Sequence, residues 1–300
     1  MVTPYVTPEL LLSAPTGISW ATIPDKGAPV PAQQAEQMNI CIRATAEADR
    51  ICNQVLRATA DPVTMYGPDY YLTVGPNWVA RMQLPRWPVL SVVSARVSPA
   101  AAFPPVWQTI PTDGIRVQNP PVGVPGDAGA GCAVALIAPG YVSWQNGRNG
   151  YMVELTYLNG WPHTSLTADA TSGATTIAVD DVTGWLGATG TIFDGANTEQ
   201  ITVTAVTPIV TGTATPIGPG MLTLATSLLN DHVSGVLVTT MPENIQWATI
   251  MLASAQALTR GATATTIQAL PGVRTAMGGG DAGGLIKTAT DILNTYARVI

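Results

Sequence analysis

Proton-transfer catalysis and transition-metal binding draw mainly on histidine, cysteine or clustered carboxylates, and this chain supplies few of them. Its two histidines, His163 and His232, are far apart in sequence, and no H-E-x-x-H, G-x-S-x-G or Walker loop occurs. Cys41 and Cys52 fall in one helical stretch, where about 16 Å of rise separates them and forbids a disulfide. Cys132 sits in a remote Gly- and Pro-rich loop, so the three thiols form no metal knuckle. They read as buried small hydrophobes in a reducing compartment. Asp180, Asp181, Asp194 and Glu199 suggest a calcium site, but they lack EF-hand spacing and read as turn formers. Gly126, Gly129 and Gly131 are in the wrong order for a dinucleotide fingerprint and open no helix. The acidic residues could supply a glycosidase pair, yet nothing selects two of them. The expectation is no catalytic residue, no metal and no cofactor, in a protein built for interaction.

Two sets of residues are candidates for that interaction. Arg43, Arg50 and Arg57 repeat every seven residues, with Glu47 within reach of Arg43 or Arg50. On one helix this is a charged stripe: a solvated face, a subunit interface or a surface turned toward DNA. The second set follows the glycine-rich run from Gly278 to Gly284. There Leu285, Ile286, Ile292, Leu293, Tyr296 and Ile300 recur at helical spacing, predicting a detached helix that docks on its own domain or on a neighbour.

The stripe requires the segment 32–60, which has no Gly or Pro and carries a narrow apolar row of Met38, Cys41, Thr45, Ala48, Cys52 and Val55. Before it, Thr7-Pro8-Glu9 caps a short helix. From Asp69 onward, β-branched and aromatic runs at YYLTVG, WVARMQL, VLSVVSARVS, GIRVQN, YVSWQN and YMVELTYLNG predict a meander, the last two joined by a turn at Gly147-Arg148-Asn149-Gly150. Residues 163–241 contain no Lys or Arg and alternate in short Thr- and Val-rich runs, the pattern of a small all-β barrel or sandwich. Trp161-Pro162 and Met241-Pro242 bracket them, so the module reads as an insertion. Pro242-Glu243-Asn244 then opens a helix with Ile245, Ala248, Leu252 and Ala255 on one side, expected to pack on the first long helix. The expected fold is α+β: a helical core with a β meander over 1–162, an inserted all-β domain over 163–241, a core helix over 242–262, and a linker and arm over 263–300.

The chain has 300 residues, 46% apolar and only 11% charged, enough for one large or two modest cores and too little charge for disorder. A net charge of -6 excludes a conventional, strongly basic nucleic-acid binder. The N-terminal segment lacks a basic flank and a long apolar run, and no membrane segment is expected.

The order of these parts carries a resemblance. AEADRICNQVL, the strand series with Leu-Pro-x-x-Pro-Val-x-x-Val at Leu84 to Val92, the Glu154-Leu155-Thr156-Tyr157 strand and the Pro242-Glu243-Asn244-Ile245 helix start together resemble the head-to-tail adaptor, or head completion, proteins of long-tailed bacteriophages. The resemblance covers 1–162 and 242 to about 262; the module over 163–241 departs from it. It implies a virion protein of the neck, assembled in the host cytoplasm as a dodecameric ring beneath the portal. Its implied partners are further copies of itself, the portal protein, a downstream neck or tail-completion protein and passing double-stranded DNA held without sequence specificity. The competing reading is a decoration or host-carbohydrate binding protein using Trp185 and Phe193 of the β-module as an aromatic platform; a virion-borne cell-wall hydrolase is a third.

Overall fold

The computed structural model describes residues 3–24, 28–66, 72–74, 79–99, 102–120, 133–138, 150–209, 216–259 and 282–297. Thr7 accepts a hydrogen bond from Leu10 N, and Pro8 stands where a helix needs no donor, so α1 (Pro8–Ser13) forms at the start. The long helix α2 (Val30–Cys52) buries Gln37, Ile40, Cys41, Ala44, Thr45, Ala48 and Cys52. It stops well short of residue 60. Asn53 takes the left-handed conformation (φ 51°), with its own N–H on Arg50 O and that of Gln54 on Asp49 O. This is a Schellman-type ending in which Asn does the work of the usual Gly.

The first sheet contains β1 (Thr59–Tyr66), β4 (Val89–Pro99), β5 (Gln108–Ile110) and β8 (Tyr151–Asn159), in the order β1-β8-β4-β5. Pro62 lies within β1, which among the described residues is an edge strand paired only with β8, a place where a missing donor is tolerated. The second sheet joins β2 (Leu72–Val74), β3 (Ala80–Leu84), β6 (Ile115–Gln118) and β7 (Ala133–Ile137) in the order β2-β3-β7-β6. Neither sheet is the expected meander: β8 inserts between β1 and β4, and β7 between β3 and β6. The expected strand at YVSWQN and residues 147–149 of its turn lie outside the described residues.

The third sheet comprises β9 (His163–Ser165), β10 (Thr176–Val179), β11 (Thr189–Phe193), β12 (Glu199–Pro208), β13 (Gly220–Leu224) and β14 (Leu237–Thr239), in the order β10-β13-β12-β11-β14-β9. Its outer strands meet where Leu166 bridges Val179, with Thr167 N on Ala178 O at 3.0 Å and Asp180 N on Ser165 O at 3.1 Å. The sheet thus curls back on itself around Trp185.

Two helices complete the chain, α3 (Glu243–Thr259) and α4 (Ala282–Asn294). α3 packs against both α2 and α4. That explains why it buries Gln246, Thr249, Met251 and Ser254 in addition to the expected Ile245, Ala248, Leu252 and Ala255. The architecture is mixed α+β and dominated by three antiparallel sheets. Buried apolar side chains form two clusters. One gathers Tyr5 through Trp161 together with Met241 through Tyr296; the other runs only from Leu166 to Val238. No helix among the described residues is long and apolar enough to cross a membrane.

Candidate functional site

The expected arginine stripe keeps Arg43, Glu47 and Arg50 on α2 but loses Arg57. Arg43 pairs with Glu36 (2.9 Å) rather than Glu47, and Glu47 receives Arg50 through Nε at 2.8 Å and Nη2 at 2.6 Å. The Arg50 hydrogen bonds hold the Glu47 carboxyl below its ordinary range. Arg57 lies past the Asn53 cap, where the chain has left the helix and forms a parallel bridge with Trp161. The seven-residue repeat therefore spans a helix end and puts Arg57 on a different element.

A network the sequence did not announce occupies that helix end. Tyr5 Oη donates to Asp49 Oδ1 and accepts from Leu56 N (3.0 Å) and Arg57 N (3.2 Å), while Tyr5 N donates to Thr45 Oγ1 at 2.9 Å. Burial, reinforced by the Asp49 carboxylate, pushes the Tyr5 phenol well above its usual range. Burial also raises Asp49, against the hydrogen bonds it accepts. The phenol is thus a fixed donor that ties the N-terminal segment to the turn after α2.

The helix α4 docks on its own chain, one of the two outcomes expected for it, and is not detached. Leu293 and Tyr296 are buried in the first apolar cluster, Leu285 and Ile292 pack partly against it, and Ile286 faces outward. Ile300 lies outside the described residues, as do Cys132 and the loop of Gly126, Gly129 and Gly131. Cys52 Sγ donates to Leu293 O (3.3 Å), Gln54 Nε2 to Tyr296 O (2.7 Å), and Tyr296 Oη to Asn244 Oδ1 (2.8 Å). The Tyr296 ring stacks on Trp87 at 5.9 Å and meets Trp161 edge-on at 5.5 Å. Helical spacing revealed an amphipathic helix; the aromatic residues that receive it lie more than a hundred residues away in sequence.

Both histidines are structural side chains. The Pro4 carbonyl can only accept, so His163 carries its proton on Nε2 toward Pro4 O (2.9 Å) and accepts from Thr239 Oγ1 on Nδ1 (2.9 Å). Burial pushes its pKa down to about 4. His232 places Nδ1 2.9 Å from Asp194 Oδ2 and Nε2 2.8 Å from Glu199 Oε1. Burial opposes the Glu199 charge, but hydrogen bonds from Leu229 N, His232 and Asn230 N outweigh it and hold the carboxyl low. Asp194 and Glu199 therefore grip opposite edges of one ring. Asp181 accepts from Thr183 N (2.9 Å) and Gly218 N (3.2 Å), and Asp180 from Thr3 Oγ1 (3.4 Å). These acids act as turn and loop ties, and no group of three or more His, Cys, Asp or Glu among the described residues could hold a metal ion.

The proposed aromatic platform loses its main member. Trp185 is fully buried, and a Cβ at Gly190 would lie 2.8 Å from its ring. Phe193 is half-buried. Comparison with protein-family models, with curated proteins and with solved structures returns no match.

Proposed function

We propose that this chain is a structural protein of a bacteriophage neck, forming a ring that joins the portal to the tail and surrounds the DNA channel. The supporting observation is how the sequence is shared between the two apolar clusters. The segments that resemble adaptor proteins, 1–162 and 242 to about 262, are separated by some eighty residues, yet their buried residues contribute to one cluster. The intervening residues from Leu166 to Val238 pack around Trp185 in a cluster of their own. This is the arrangement expected of a helical adaptor core carrying an inserted accessory domain. Ring interfaces are heterologous, each subunit offering two different surfaces, and a core with a curled domain on one side provides that asymmetry. The β-module is read as an accessory domain facing another virion component. Docking on the portal, if it uses α4, falls to the outward side bearing Ile286.

The test is the copy number of this chain per purified particle, by quantitative mass spectrometry against the major capsid protein. About a dozen copies are expected for one ring at a unique vertex. Hundreds of copies, or none, would overturn the reading.

A further inference from the structure

The second sheet has one dry face and one open face. Ala80, Met82 and Leu84 of β3 and Ala133, Ala135 and Ile137 of β7 are all fully buried, fixing this sheet against the first apolar cluster. Strand alternation turns the intervening residues the other way. In the register, Arg81 of β3 and Arg116 of β6 both pair with Leu136 of β7, and Gln83 and Gln118 both pair with Val134. The open face therefore carries two rows, Arg81-Leu136-Arg116 and Gln83-Val134-Gln118. Both arginines and both glutamines are exposed, and Leu136 and Val134 are half-buried between them.

The charge on this face runs against the rest of the chain. The protein has a net charge of -6, yet these rows contain two cations and no carboxylate. Among the described residues Arg81 and Arg116, like Arg57 and Lys287, form no ion pair, whereas Arg43, Arg50, Arg86 and Arg96 do, and of the unpaired cations only Arg81 and Arg116 share one sheet face. Two strand spacings separate Arg81 from Arg116, about 9.5 Å. The middle strand puts Leu136 between them, and side chains extended from that spacing can each reach a separate anion. A duplex backbone presents closely spaced phosphates, so two guanidinium groups on one face can each meet a separate phosphate. Guanidinium groups bind phosphate oxygens bidentately, and the glutamine amides can add neutral hydrogen bonds.

We propose that this open face is the surface of the chain that meets the phosphate backbone of duplex DNA, through Arg81 and Arg116 and without reading sequence. The proposal rests on the neck reading and names its DNA-facing surface. The net negative charge opposes tight binding to the duplex, and two cations on one face touch it sparsely here. That combination orients DNA without holding it.

Retention of the full-length protein on DNA-cellulose, measured at a series of low salt concentrations, tests this. Each phosphate contact contributes about -0.9 to the slope of log retention against log salt, so two contacts contribute about -1.8. The R81Q/R116Q variant should lose that slope and elute in the void volume, while the charge-matched control R43Q/R96Q should elute like the unaltered protein. Circular dichroism checks that each variant is folded. Equal slopes for R81Q/R116Q and the unaltered protein, or no retention of the unaltered protein at the lowest salt, would overturn the proposal. So would equal retention on a poly-glutamate resin of matched charge density, which would indicate an acidic protein partner. A dozen copies per particle with no DNA retention would remove this inference alone, whereas a wrong copy number would remove the neck reading itself.

Discussion

The two apolar clusters are held together in opposite ways. The larger is assembled from distant parts of the chain: Tyr5 reaches Asp49, Gln54 reaches Tyr296, and Trp87, Trp161 and Tyr296 meet ring to ring. The smaller uses only consecutive chain, lacks Lys and Arg altogether, and places its histidine between two carboxylates. One cluster is therefore vulnerable at the ends of the chain and the other at a charge. Removing the C-terminal helix should separate them most clearly. A chain ending at Gly278 loses the burial of Ala289, Leu293 and Tyr296, which at about 1.5–3 kcal/mol for each large side chain amounts to roughly 5 kcal/mol. Calorimetry should show the larger cluster melting far earlier while the Trp185 cluster is unchanged. Cys52, whose thiol burial pushes up to about 12, should become reactive to a thiol reagent. A truncated chain with the original melting profile and an inert Cys52 would show that α4 contributes nothing to the core.

The complementary change is His232→Ala. It leaves Asp194 and Glu199 without the ring that bridges them, and stranding hydrogen-bonding groups of a buried site costs about 1–3 kcal/mol. Asp194 is about a quarter exposed, so the lower end of that range is expected. Here the Trp185 cluster should melt early and the larger cluster should not. A shared loss in both would mean that the two clusters unfold as one unit.

Acid should act where the two regions touch. His163 lies at the start of β9 and bonds the N-terminal Pro4, and its folded pKa of about 4 is below the ordinary value of 6.5. Above pH 6.5 the folded and unfolded chains both hold it neutral, and it has no effect on stability. As pH falls from 6.5 to about 4, the unfolded chain takes up a proton that the folded chain refuses. Stability then drops by about 3 kcal/mol before levelling off. Glu199, held low, adds a loss in the same direction further into acid. Denaturant titrations between pH 7 and pH 4 should show this decline for the natural chain and a flatter one for His163→Gln. Parallel profiles would remove His163 as its source.

Local signals in the sequence revealed elements better than partners. The boundaries of the β-module were legible because composition changes abruptly at Trp161-Pro162 and Met241-Pro242. The end of α2 was not, because Asn53 adopts a conformation usually marked by Gly, and residues 54–60 are still compatible with a helix by composition. That single misplacement put Arg57 in line with Arg43 and Arg50. The strand β1 was hidden by Pro62, tolerated only because β1 is an edge. The alignment of Arg81 with Arg116 across Leu136 was invisible for a further reason: it depends on the register of both strands against β7, a short run that carries no strand signal of its own beside a Gly- and Pro-rich loop. Periodicity shows which face of an element is apolar. It carries no information about which distant face will cover it.

The smallest expected effect concerns the stripe that looked most chemical in the sequence. Arg50 and Glu47 make two hydrogen bonds in good geometry, but the Arg50 side chain is 71% exposed and the pair lies three residues apart on one helix. Water and salt screen such pairs, and fixing two long side chains opposes the gain in attraction. Arg50→Ala should leave the thermal melts of both clusters within experimental scatter. Tyr5→Phe, at the adjoining Asp49, should not: Leu56 N and Asp49 keep each other (3.0 Å), but Arg57 N loses the hydroxyl as its acceptor, a loss worth about 1–3 kcal/mol. If Arg50→Ala proved the more damaging of the two, the exposed charge would be the structural element and the buried phenol the ornament, reversing the ranking that burial sets.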